Sequence, residues 1–127
     1  MAMGAAMTVA VWLGVAVLGG VGAVLRFLVD RTVSHRLSGV FPSGIFVVNI
    51  SGALVLGLLA GLELGPTTAL LVGVALVGAY TTFSTWMLQT LELGAERRTG
   101  LAISNIVVSL ALGVAAAALG WWIGTLL

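Results

Sequence analysis

The chain has 127 residues, of which 61% are hydrophobic and 7% charged, with a formal net charge of +1 and a mean hydropathy of +1.25. An ordinary soluble domain carries about 25% charged residues, so water is not the solvent for most of this surface. Without cysteine there is no disulfide, no thiolate chemistry and no Cys-ligated zinc.

The charges leave four uncharged runs, Met1–Leu25, Leu37–Leu62, Leu64–Leu91 and Thr99–Leu127. Each exceeds the roughly 20 residues that cross a bilayer's hydrocarbon core as a helix. None has the alternating polarity of a barrel strand, the other way to satisfy backbone amides in lipid. The sequence therefore predicts an all-α membrane protein, one domain over residues 1–127, with four transmembrane helices at about 5–29, 43–62, 66–91 and 101–126. No room is left for a soluble domain.

The first helix has no Lys or Arg ahead of its apolar stretch and no small-residue cleavage site, so it reads as a span rather than a cleaved leader. Near its end stands Arg26, for which two readings are open. It snorkels to the interface, or it lines a vestibule that concentrates anions. The polar segment from Asp30 to Gly39 reads as the first loop, with the lone His35 a solvated residue within it.

Phe41-Pro42 opens the second helix, since proline is tolerated at a helix start. Within that helix, Asn49 and Ser51 are polar. The Asn49 amide has donors and acceptors that hydrocarbon cannot satisfy, so it must face a protein partner, water or a permeant ion. Glu63-Leu64-Gly65-Pro66 is a short turn and makes the second and third helices antiparallel neighbours.

In the third helix, Gly78-Ala79-Tyr80-Thr81-Thr82-Phe83-Ser84-Thr85 combines a flexible backbone position with hydroxyls that cap or compete for helical hydrogen bonds. A mid-helix break and an intact helix with hydroxyls bonded back to its own carbonyls are both compatible with that pattern. Gln89 follows, then a charged loop from Glu92 to Gly100. On the fourth helix, Asn105 and Ser109 share a face and form either a polar track or interhelical bonds. Gly57-x-x-x-Gly61 and Gly120-x-x-x-Gly124 have the spacing for close helix packing, and Trp12, Trp121 and Trp122 suit interfaces or packing.

With both termini on one side, the loops after the first and third helices share a face that holds Arg26, Arg31, Arg36, Arg97 and Arg98, and the other face has no Lys or Arg. The positive-inside rule makes those loops cytoplasmic. No acid or His lies within a span, which counts against a small multidrug exporter subunit, because that mechanism needs a membrane carboxylate. An accessory membrane subunit without transport of its own is the other alternative.

Three motifs in order resemble one family: Gly19-Gly20-Val21-Gly22-Ala23-Val24-Leu25-Arg26-Phe27, then Phe41-Pro42-Ser43-Gly44 with Val48-Asn49-Ile50-Ser51-Gly52, then Gly78 through Thr85. The chain is similar to the Fluc, or CrcB, fluoride channels. The resemblance implies a non-enzymatic, passive, fluoride-specific channel in a bacterial plasma membrane, built as an antiparallel (inverted) dimer of four-helix subunits whose third helix is broken. Fluoride, a second subunit and membrane lipid would be its partners, with no nucleic acid.

The resemblance also implies a structural Na+ at the dimer centre, not transported and held by backbone carbonyls that match Gly78 and Thr81. The matching fluoride pathway is Asn49, Thr82, Phe83, Ser84, Trp86 and Ser109, with Arg26 at its approach. This sequence departs from the family pattern where a second phenylalanine is replaced by Trp86, where Gly-Thr reads Gly44-Ile45 and where a glutamate reads Gln89. On the fourth helix the polar line thins beyond Ser109 to Gly113 and Ala117. An indole keeps an aromatic edge and adds an N–H donor, so permeation is expected to persist in altered form. The one-sided arginines suggest half of a heterodimer with an oppositely oriented homologue, the homodimer being the alternative.

Overall fold

A computed structural model describes residues 2–127; Met1, the first residue of the expected domain, lies outside the described residues. Four helices are long and apolar enough to cross a membrane, and no strand occurs among the described residues. They are α1 (Ala2–Arg36), α2 (Ser43–Gly61), α3 (Pro66–Ala95) and α4 (Thr99–Leu126).

The expected end of the first helix at Val29 is corrected by the fold. Asp30 through Arg36 continue α1 instead of forming a loop, and His35 sits on its last turn. Charge ends the membrane-embedded part of a helix, but only backbone chemistry ends the helix. Between Asp30 and Arg36 there is no glycine or proline, and the Ser34 hydroxyl donates to the Asp30 carboxylate one turn earlier at 3.2 Å. Likewise, α3 runs past Leu91, through Glu92 and Gly94, to Ala95.

After Ala95 the chain stops in a Schellman arrangement. Arg98 N–H donates to the Leu93 carbonyl at 2.8 Å and Arg97 N–H to the Gly94 carbonyl at 3.1 Å, with Arg97 left-handed at φ 61°. At the α2–α3 turn the left-handed residue is Glu63 (φ 51°), while Gly65 stays ordinary at φ −60° ahead of Pro66 in the first helical turn.

Glycine sets the packing. A Cβ on Gly57 would strike the backbone of Ala117, one on Gly120 the Leu54 carbonyl, and one on Gly124 the Leu58 carbonyl. The two GxxxG motifs therefore face each other and bring α2 and α4 into backbone contact along a parallel pair. On the other side of the molecule, α1 runs parallel to the first half of α3. Gly22 there lies against the carbonyl of Leu76 and the amide of Tyr80, with no room for a side chain. Gly44 lets the start of α2 close on Asp30 and Ser34 of α1.

The third helix is the irregular one. After Pro66–Thr68 it winds as a π-helix over Ala69–Val77, returns to an α-turn at Gly78–Tyr80, opens, and resumes at Ser84–Ala95. π-helical turns are rare and concentrate at functional sites.

Candidate functional site

The opening begins at Thr81, whose backbone is extended (φ −81°, ψ 161°). The Thr81 N–H and hydroxyl both donate to the Val77 carbonyl, at 3.0 and 3.1 Å, and complete the last turn of the first half. The next amide is swung away. Thr82 N–H donates to Asn49 Oδ1 at 2.9 Å, and Asn49 Nδ2 donates to the Thr82 carbonyl at 2.8 Å. One carboxamide on α2 thus replaces both backbone partners that Thr82 loses where the helix opens.

The second half then starts with its own cap. The Thr82 hydroxyl accepts the Thr85 N–H at 3.2 Å, the pattern in which a threonine satisfies one of a helix's orphan donors. It also lies 3.3 Å from the Ser84 hydroxyl and donates to the Thr85 hydroxyl at 3.4 Å. Phe83 lies between the two halves with 70% of its surface exposed. Its ring meets Trp86 edge to face, with centroids 5.6 Å apart and planes at 74°.

On the other side of the opening are carbonyls. Because Thr82 N–H goes to Asn49, no backbone N–H among the described residues answers the carbonyls of Gly78 and Ala79. The Thr81 carbonyl accepts Arg26 Nη1 at 3.2 Å. Arg26 therefore reaches inward to the break instead of snorkelling to the interface. Carbonyls at a helix C-terminus carry partial negative charge, and each oxygen has two lone pairs, so Thr81 can serve Arg26 and one further donor or cation. The donor set of Gly78 and Thr81 suits a hard cation, whereas no group of three His, Asp or Glu side chains that could hold a metal exists among the described residues.

The second half of α3 is fastened to α4 by a buried polar network. Trp86 Nε1 donates to the Asn105 carbonyl at 3.2 Å, and Asn105 Nδ2 donates to the Thr90 hydroxyl at 2.9 Å. Thr90 in turn donates to the Trp86 carbonyl at 2.9 Å, while the Ser109 hydroxyl donates to Asn105 Oδ1 at 3.5 Å. Asn105 is fully buried. The N–H donor that the indole adds is engaged with the backbone of α4, and Asn105 bonds across helices rather than standing open in a track.

Of the residues singled out in the sequence, Asn49, Gly78, Thr81, Thr82, Phe83, Trp86 and Ser109 all line one open groove of about 440 Å³ between α2, α3 and α4. Ser84 and Arg26 are tied to it through Thr82 and Thr81. Two participants went unassigned. Tyr80 bonds through its phenol to the Ser51 hydroxyl at 2.9 Å and so couples α2 to the end of the first half of α3. Thr90 completes the Trp86–Asn105 network; its position one turn after Trp86 is a signal in the sequence, but its partner on α4 is not.

Four membrane helices of which one opens at midspan, with an exposed aromatic ring, hydroxyls and unpaired backbone carbonyls around the opening, define a small integral membrane protein with a broken helix. The family model described as "CrcB-like protein, Camphor Resistance (CrcB)" matches residues 13–121. Among curated relatives, the fluoride-specific ion channel FluC 2 of Mycobacterium bovis is 60% identical over 93% of this chain and 94% of its own length. The fluoride-specific ion channel FluC 1 of Streptomyces avermitilis is 43% identical over 87% of this chain and 93% of its own length. FluC 3 of Yersinia pestis, of the same description, is 36% identical over 88% and 93%. The chain belongs to the CrcB (Fluc) family.

Proposed function

We propose that this protein is a fluoride-specific channel that lets fluoride leave a bacterial cell passively through its plasma membrane. The observation that carries the reading is the exposed Phe83 beside the capped start of the second half of α3. A ring edge carries the positive part of the aromatic quadrupole and meets an anion without a formal charge. Conduction needs release as well as entry, and a bare cation in the pathway would hold a small anion too firmly. The one nearby arginine, Arg26, is bonded to the Thr81 carbonyl. Ser84, Thr82 and Ser109 supply hydroxyl donors along the same groove, and Asn49 fixes its wall.

Two copies in opposite orientation would bring their open grooves together and cover the apolar surface around Gly78 and Thr81. The free Gly78 carbonyl and the second lone pair of Thr81 support a structural Na+ held there, which would supply fixed positive charge between the two breaks. Arg31 and Arg36 at the end of α1, with Arg97 and Arg98 in the loop after α3, support a cytoplasmic position for that face. Expression of this chain in a bacterium deprived of its own fluoride export should restore growth in fluoride. Growth no better than with an empty vector, although the protein is present in the membrane, would contradict the reading.

A further inference from the structure

We propose that the outer face of the last turns of α1 binds the headgroup of an anionic phospholipid. Thirty-five residues make a helix about 52 Å long at 1.5 Å per residue, well beyond a hydrocarbon core of about 30 Å. Its inward face is marked by Gly22 on Leu76, Arg26 on Thr81 and Asp30 on Gly44, a spacing of four residues throughout. The opposite face carries exposed Val17, Val21, Val24 and Leu28 at helical spacing. One turn beyond Leu28 the apolar stripe stops and polar and charged residues begin, which places Arg31, His35 and Arg36 in the headgroup layer.

These side chains form more than a diffuse charge. Leu28, Arg31, Thr32, His35 and Arg36 line one recess of about 450 Å³. The Arg31 guanidinium is stationed over the Phe27 ring, 6.0 Å from its centroid. Among the described residues the only ion pair is Arg98 with Glu96, so neither Arg31 nor Arg36 is neutralised. The nearest acid on the helix, Asp30, points to the inward side, where it takes the Ser34 hydroxyl and abuts Gly44. Guanidinium groups pair with phosphate oxygens in bidentate fashion, Thr32 adds a hydroxyl donor, and Leu28 with Val24 offers a wall for the acyl chains. A lipid thus fits both parts of the recess, whereas a free anion uses only one.

Native mass spectrometry of the detergent-solubilised protein, titrated with phosphatidylglycerol or with phosphatidylcholine of the same chains, tests this. The wild type should retain phosphatidylglycerol preferentially. Basic residues near an anionic surface contribute about 1 kcal/mol each, so the double variant Arg31→Gln/Arg36→Gln should bind it about 30-fold more weakly. Arg97→Gln/Arg98→Gln, which removes the same charge elsewhere, should leave binding unchanged. Equal losses in the two double variants, or no loss in the first, would overturn the proposal. So would displacement of the lipid by inorganic phosphate at equal concentration, or a changed oligomeric state in Arg31→Gln/Arg36→Gln, which would mean that protein covers this face.

Discussion

Replacing Asn49 by alanine probes the break at its support. The variant loses the bonds of 2.8 and 2.9 Å to Thr82, and side-chain hydrogen bonds inside membrane proteins contribute about 0.6–2 kcal/mol each. The expected destabilisation is about 1–4 kcal/mol. Two arrangements are open to the variant: Thr82 N–H stays unpaired, or it returns to the Gly78 carbonyl and the helix closes. The second withdraws Gly78 from any cation, and the first loosens the segment that presents it. Thermal unfolding in detergent, followed by circular dichroism with and without sodium, reads both effects. A ligand that binds only the folded state raises its stability. The wild type should therefore gain stability from sodium, and Asn49→Ala should start lower and gain less. A variant with the wild-type midpoint, sodium response and fluoride flux would refute the idea that Asn49 holds the break open.

Asn49→Asp keeps an acceptor for Thr82 N–H but sets a carboxylate oxygen against the Thr82 carbonyl, so it should lower stability as well as fluoride flux; flux equal to wild type would remove Asn49 from the pathway. Phe83→Ile removes the ring edge while keeping apolar bulk, and because Phe83 is exposed it should cut fluoride efflux from proteoliposomes with little change in unfolding temperature. Trp86→Phe preserves an aromatic edge and gives up the bond to the Asn105 carbonyl, so flux should persist while stability falls by about 0.5–1.5 kcal/mol in unfolding measurements. Gly120→Val would drive a side chain into the backbone of Leu54 and Leu58, where nothing flexible can yield. Separation of α2 from α4 should cost at least about 1–3 kcal/mol, and expression of a stable protein should drop.

Much of the architecture is legible in the sequence because the bilayer constrains it so strongly: an uncharged run long enough to span has few alternatives. The glycine pairs on α2 and α4 were readable by the same logic. The opening at Thr81 was only half readable, since Gly78 and four hydroxyls allow a break without requiring one. What decides it is Asn49, 33 residues earlier in the chain, and a partner at that separation leaves no local trace. The π-helical winding of Ala69–Val77 has no sequence signal at all, being a run of ordinary apolar residues with one glycine.

The α1 boundary shows the opposite error. Polar residues in the sequence mark the end of the membrane there and not the end of the helix, which continues to Arg36. Trp86 stands out in the sequence as a departure that adds an N–H donor, but the partner of that N–H, the buried carbonyl of Asn105 on α4, cannot be placed from sequence.

The central claim is tested most directly by reconstituting this chain alone in liposomes and comparing fluoride and chloride efflux with ion-selective electrodes. The account predicts rapid fluoride efflux and chloride efflux no faster than from protein-free liposomes. Equal release of both anions, or no fluoride release even with an oppositely oriented homologue present, would contradict it.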